Sequence, residues 1–80
     1  MNDIHFEMGR LDKLFKKANL EKGTNHNTNK KVLAQLNICI ECYENNPSTT
    51  VYDIGSGKSL DIDYLKLQRK QLVNFMQYKK

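Results

Sequence analysis

Three short stretches of this 80-residue chain hold residue types able to do chemistry. The first is Cys39-Ile40-Glu41-Cys42, a C-x-x-C pair. Two thiolates at that spacing can supply half of a tetrahedral zinc shell, or can form a redox couple. Zinc needs two more ligands, and the histidines are His5 and His26; His26, in a polar stretch, is the one that can swing toward the pair. A redox couple needs its thiols at a helix N-terminus, whereas these lie well inside a helical pattern. The simpler expectation is that Cys39 is a small core residue with Cys42 at the core's edge, and that neither holds a metal.

The second stretch is Gly57-Lys58-Ser59, preceded by Gly55, which has the ending of a phosphate-binding loop. A full G-x-x-x-x-G-K-[ST] cradle needs a glycine where this chain has Tyr52, and 80 residues leave no room for the parallel sheet behind it. The expectation is a glycine-serine turn whose Ser59 or neighbouring Asp61 caps the next helix. The third is the pair of histidines, and neither has a serine or cysteine with a carboxylate at a triad spacing. With no coherent set of acid, base, nucleophile or metal ligands, the chain reads as non-catalytic and without a cofactor.

Binding signals are stronger. Phe6, Arg10, Lys13 and Lys17 fall at i, i+4, i+7 and i+11, one stripe on a helix. Cations beside an exposed aromatic can grip phosphates and stack a base, or dock on an acidic protein surface; Lys66 and Lys70 offer a second basic strip. A helix-turn-helix over 49–64 fits poorly, because its reading helix would open with Asp61 and Asp63, which phosphates repel. Arg69 interrupts an apolar face between Leu65, Leu72 and Met76. An arginine is almost never buried unpaired, so it either meets Glu41 or Glu44, or lies at an interface.

These residues need elements to hold them. Ile4, Met8, Leu11, Phe15 and Ala18 alternate spacings of four and three, predicting an amphipathic helix over 3–20 that Asn2 or Asp3 caps and Gly23 ends. The polar run 23–29 reads as a loop and as the most mobile part of the chain. A second helix follows, capped by Thr28 or Asn29 and running to Asn45, with Val32, Leu33, Leu36, Cys39, Ile40 and Tyr43 on one face. Ile38 points almost opposite, either exposed or on a second contact surface. Pro47 ends this helix. The segment 48–54 favours an extended or short β conformation by its threonine, valine and tyrosine content, with a ribbon to 58–60, an intermolecular strand or a short helix capped by Ser48 as alternatives.

The stretch 60–78 carries apolar residues around most of its girth, with only Asp63, Lys66, Lys70, Asn74 and Gln77 as a polar strip. Such a helix must be covered on several sides by its own chain or by another. The fold expected is mainly α: a single small three-helix domain, the first two helices antiparallel and the third packed on both, with a short extended or β segment before it.

Composition bounds the rest. Thirteen basic against nine acidic residues give a net charge of +4, which permits nucleic-acid binding without requiring it. No run approaches the roughly 18 apolar residues of a spanning helix, and no signal-peptide pattern opens the chain. The location expected is therefore cytoplasmic, with no membrane partner. Lysine over arginine and abundant asparagine suit an AT-rich genome, as in a bacterium, phage or plasmid. Two functions follow as expectations. One is a non-catalytic, self-associating interaction module (a regulator, adaptor or inhibitor) using Ile38, Tyr64, Leu67, Arg69, Phe75 and Tyr78. The other is a small nucleic-acid-binding protein using Phe6, Arg10, Lys13, Lys17, Lys66 and Lys70.

Overall fold

The computed structural model describes residues 3–46, 51–52 and 56–78, with Tyr78 described by its backbone alone. Expectations that fall on Asn2, Pro47, Ser48, Thr49, Thr50, Ile54, Gly55, Lys79 and Lys80, or on the Tyr78 side chain, lie outside the described residues. Three helices, α1 (Ile4–Leu20), α2 (His26–Asn45) and α3 (Ile62–Tyr78), make up the mainly α fold that the periodicity predicts.

Helix α1 starts where expected. The Asp3 carboxylate accepts the His5 N–H at 2.9 Å, satisfying one of the amides a helix start leaves open. It ends in a turn of Schellman type: the Gly23 N–H donates to the Ala18 carbonyl at 2.9 Å and the Lys22 N–H to that of Asn19 at 3.1 Å. The residue in the left-handed region at the first position of this turn is Lys22, at φ 56°, and Gly23 follows at φ 71°. A Cβ at Gly23 would also press on the Phe75 ring, at 3.3 Å, so the ring would have to give by a few tenths of an ångström.

The turn into α2 corrects two expectations. The cap is Asn25 rather than Thr28 or Asn29, its side chain accepting from the N–H groups of Asn27 and Thr28. Nor is the polar run 23–29 loose. The Asn25 amide donates to Glu21 at 2.7 Å, the Thr24 hydroxyl to the Glu21 carbonyl, and the buried Asn29 amide to the Gly23 carbonyl at 3.0 Å. The Thr28 hydroxyl and the Asn25 amide hold the Glu21 carboxyl below its ordinary range, with a smaller pull from Lys17. A run with no apolar residue is thus tied by side-chain amides, which hydropathy does not register.

Helix α2 is the centre of the molecule. Its buried residues, from Thr28 and Val32 through Leu36, Cys39 and Ile40 to Cys42 and Tyr43, cover a wide arc, and α1 and α3 both pack on it. Both run antiparallel to it: Glu7 of α1 meets Gln35, while Arg69 of α3 meets Asn37 and Phe75 lies by Gly23. Among the described residues, the backbones of α1 and α3 do not come within packing distance of each other. The expectation that the third helix packs on both others is therefore wrong, and the helix covered on several sides is α2. Its larger share of small and polar residues (Thr28, Asn29, Gln35, Cys39, Cys42) lets two helices approach it closely, while hiding its centrality from a count of large apolar residues. Ile38 belongs to this arc as well, half-buried and packed against the core rather than exposed.

The core comprises Ile4, Met8 and Leu11 of α1, Val32, Leu36, Cys39, Ile40, Cys42 and Tyr43 of α2, and Leu65 of α3. One polar pair lies within it. The Gln35 amide donates to the Glu7 carboxylate at 2.8 Å and to the Glu7 carbonyl at 2.9 Å. Glu7 sits in the acidic first turn that the helix dipole favours, yet it is buried as well, with the Arg10 guanidinium 3.9 Å away at the edge. A buried carboxylate without its donor is costly, so this pair pins α1 to one register on α2.

Replacing Gln35 by alanine should lower stability by about 2 to 3 kcal/mol, because it strands the Glu7 carboxylate. Joint replacement of Glu7 and Gln35 by leucine should recover much of that loss. Denaturant melts of the single and double variants measure both.

Candidate interaction surface

The connection from α2 to α3 sets the position of the third helix. Val51–Tyr52 and Ser59–Leu60 form a short antiparallel ribbon, with a bridge between Tyr52 and Ser59 and the Leu60 N–H donating to the Val51 carbonyl at 2.7 Å. Of the segment 48–54 expected to be extended or short β, Val51 and Tyr52 are the described residues, and they take the ribbon alternative through this single bridge. Tyr43 clamps it to α2: its hydroxyl accepts the Val51 N–H at 3.2 Å and donates to the Leu60 carbonyl. Burial raises the Tyr43 phenol above its usual pKa. Asp61 then caps α3, accepting the Tyr64 N–H at 2.9 Å.

Ser59 is occupied by the ribbon and does not cap the helix. Gly57, at φ 72°, makes the turn, where the Lys58 N–H donates to the Ser56 hydroxyl at 3.3 Å. The glycine-lysine-serine stretch is a hairpin tip, as its missing first glycine implies.

Helix α3 buries one face only. Leu65 is fully buried, while Ile62 and Leu72 are half-buried against the core. On its outer side Leu67 is 51% exposed, Phe75 38% and Tyr64 36%. Tyr64 also stands at the mouth of an open cleft of about 370 Å³ that Met8, Leu11, Asp12 and Phe15 of α1 line on the opposite side, with Lys58 of the ribbon. The gap lies where the backbones of α1 and α3 stand apart on either side of α2.

Of the six residues expected at a protein interface, Tyr64, Leu67 and Phe75 lie on this outer face. Tyr78 falls on the same side of the helix by register. Ile38 and Arg69 lie elsewhere. Arg69, half-buried, donates to the Asn37 side-chain oxygen at 2.9 Å and so spans α3 and α2. Its partner is an amide rather than Glu41 or Glu44, because Asn37 stands opposite it where the two antiparallel helices cross. The pattern also passed over Gln71, exposed in the middle of the outer face, and Leu20, which is 85% exposed one turn beyond Lys17. The three-residue step from Lys17 to Leu20 was the available signal.

The basic stripe of α1 is open to solvent. Phe6 is 61% exposed, and the Arg10 guanidinium lies 5.8 Å from its ring centroid, a cation–π pair. Lys13 and Lys17 are exposed beside it. Lys66 and Lys70 are exposed too, but on α3, which does not pack on α1.

Cys39 and Cys42 are both buried and form no disulfide. Burial pushes the Cys39 thiol up to about 11, with Gln35 close by and Cys42 adding to the rise. His26 opens α2, thirteen residues and roughly 20 Å of helix from Cys39, too far to join it at a metal. Among the described residues no group of three metal-ligating side chains comes together. No helix among them is long and apolar enough to cross a membrane. Compared with models of known protein families, with curated proteins and with solved structures, the chain matches none of them.

A small aromatic disulfide reagent should leave both thiols unlabelled in the folded protein at neutral pH and titrate both in denaturant. Fast labelling of either thiol in the folded state would show that the α2 core opens locally.

Proposed function

We propose that the chain is a non-catalytic protein-interaction module that binds a second copy of itself through the outer face of α3, and acts as a regulator, adaptor or inhibitor. What supports this reading is one observation: Leu67 stands half-exposed on the side of α3 turned away from α2, with Tyr64 and Phe75 partly exposed beside it, the Phe75 ring also resting on Gly23. Scattered surface apolar residues need no explanation, but large ones aligned along one helix make a contiguous patch of the kind that marks binding sites. Two of the three are aromatic, the residue class enriched where interfaces bury their centres. Leu72, half-buried against the core, flanks the patch on one side, so a partner seated there lies next to the core.

A second reading rests on its own observation, the exposed Phe6–Arg10 pair with Lys13 and Lys17 along the same stripe. That arrangement suits a phosphate backbone with a stacked base.

Light scattering on Leu67→Glu tests the first reading. The native chain should be a dimer whose mass is insensitive to salt, and the variant a folded monomer with unchanged helix content; a native chain monomeric at every concentration sinks it. Charge reversal at Arg10, Lys13 and Lys17 tests the second. Retention on DNA or RNA, lost as salt rises, should disappear in that variant with mass unaltered, and binding equal to that of the native chain refutes a role for the stripe.

A further inference from the structure

Helix α1 carries a glycine that its fold does not use. Gly9 sits inside Ile4–Leu20 without a positive φ, and a Cβ built on it would meet nothing within 4 Å. A glycine within a helix weakens it relative to alanine, because more backbone freedom is lost on ordering. Packing returns nothing here: the position is exposed, and the buried residues Ile4, Glu7, Met8 and Leu11 centre on the other side of the helix.

What the missing side chain leaves is open space beside Phe6. A helical side chain covers the turn before its own Cα, and its neighbours lie three and four residues away. The positions that cover Phe6 are therefore 9 and 10. Arg10 takes one flank, its guanidinium 5.8 Å from the ring centroid and close to the outer limit of a cation–π contact. Gly9 leaves the other flank bare. Further along the face Lys13 and Lys17 are exposed, and neither makes an ion pair among the described residues. The carboxylates nearby are engaged already. Asp3 caps the helix, Glu7 is buried on Gln35, Asp12 is tied to Lys16 at 3.0 Å, and Glu21 is held by Asn25.

We propose that this face binds single-stranded nucleic acid, one unstacked base lying on the Phe6 ring over Gly9 while Arg10, Lys13 and Lys17 hold the phosphates around it. This rests on the second reading above, in which the stripe meets a phosphate backbone, and commits it to single strands. A duplex keeps its bases stacked inside and offers phosphates alone, so the bare flank of Phe6 would have nothing to meet. A single strand offers both, since its bases turn outward and stack on aromatic side chains. Bare backbone at Gly9 lets a flat base come close to the helix, where a side chain would prop it off. The contact is short: Phe6 to Lys17 spans about 17 Å of helix, room for a few nucleotides. An acidic protein surface answers the lysines, but its carboxylates have no use for an apolar ring with one flank bare.

Fluorescence anisotropy tests this with a short labelled DNA, as a single strand and annealed to its complement, at low salt. The single strand should bind more tightly than the duplex, with a log–log salt slope of about −2 for three phosphates. Phe6→Ala should weaken single-strand binding about five- to a hundredfold, the worth of one stacked base, and leave duplex binding unchanged. Gly9→Ala separates the ligand from the fold. It should raise the melting midpoint by about 4 to 8 °C and yet weaken single-strand binding severalfold. A duplex bound as tightly as the single strand, or Phe6→Ala or Gly9→Ala binding the single strand as the native chain does, would overturn the proposal and leave the stripe a phosphate-binding surface only. Polyglutamate that competes as well as the single strand at equal charge would also overturn it, in favour of an acidic protein partner. Binding of neither form of the DNA would remove the second reading with it.

Discussion

A helix with a single neighbour can bury a single face, and in this fold both outer helices have the same single neighbour. Helix α2 takes α1 and α3 on two sides of a broad buried arc, and they do not close the triangle by packing on each other. From this follow the open cleft between Met8–Phe15 and Tyr64, the half-buried state of Ile62 and Leu72, and the bare outer side of α3. Helix α1 suits that position, because its seam is narrow and its far side is basic. Helix α3 does not, for its apolar residues run around more of its girth than one neighbour can cover.

Two polar contacts decide where the outer helices sit. Gln35 holds both the carboxylate and the carbonyl of Glu7, so sliding α1 along α2 by a turn would leave a buried carboxylate without a donor. Tyr43 does the corresponding work for α3, by holding Val51 and Leu60 and so fixing the point from which the third helix departs. Both anchors come from α2, and both use side chains that bond to another segment's backbone. Apolar contacts set how much is buried; these bonds select which of several similar packings is adopted.

The helices themselves were legible because their signals are local. The alternating four-and-three seam of α1, the Asp3 and Asp61 caps and the β-prone residues before α3 each act within a few positions of the chain. What was not legible depends on which helices meet. Nothing near Glu7 announces that Gln35, 28 residues away, will bury it. Arg69 had to find a polar partner, but whether that was Glu41, Glu44 or Asn37 depended on how α3 crosses α2. The centrality of α2 was hidden in the same way, since Thr28, Asn29 and Gln35 look like surface residues until two helices lie against them. Three members of the outer patch were legible for the opposite reason. An apolar girth too wide for one neighbour is a property of the helix alone, and it holds whatever the rest of the chain does.

The size of the chain gives that surplus a consequence. Eighty residues bury a core that is close to the lower limit for an independent domain, and this one leaves Leu67 and part of Tyr64 and Phe75 exposed on α3. Moving Leu67 toward charge would make the free chain more soluble and cost its core little, because α3 is held to α2 by Leu65, Ile62 and Leu72. Burial of Leu67 in a second copy would instead add apolar area on both sides at once, and anything that binds only the folded chain stabilises it in proportion to the logarithm of its concentration. In a self-associating module of this size, folding and assembly are then coupled through one helix.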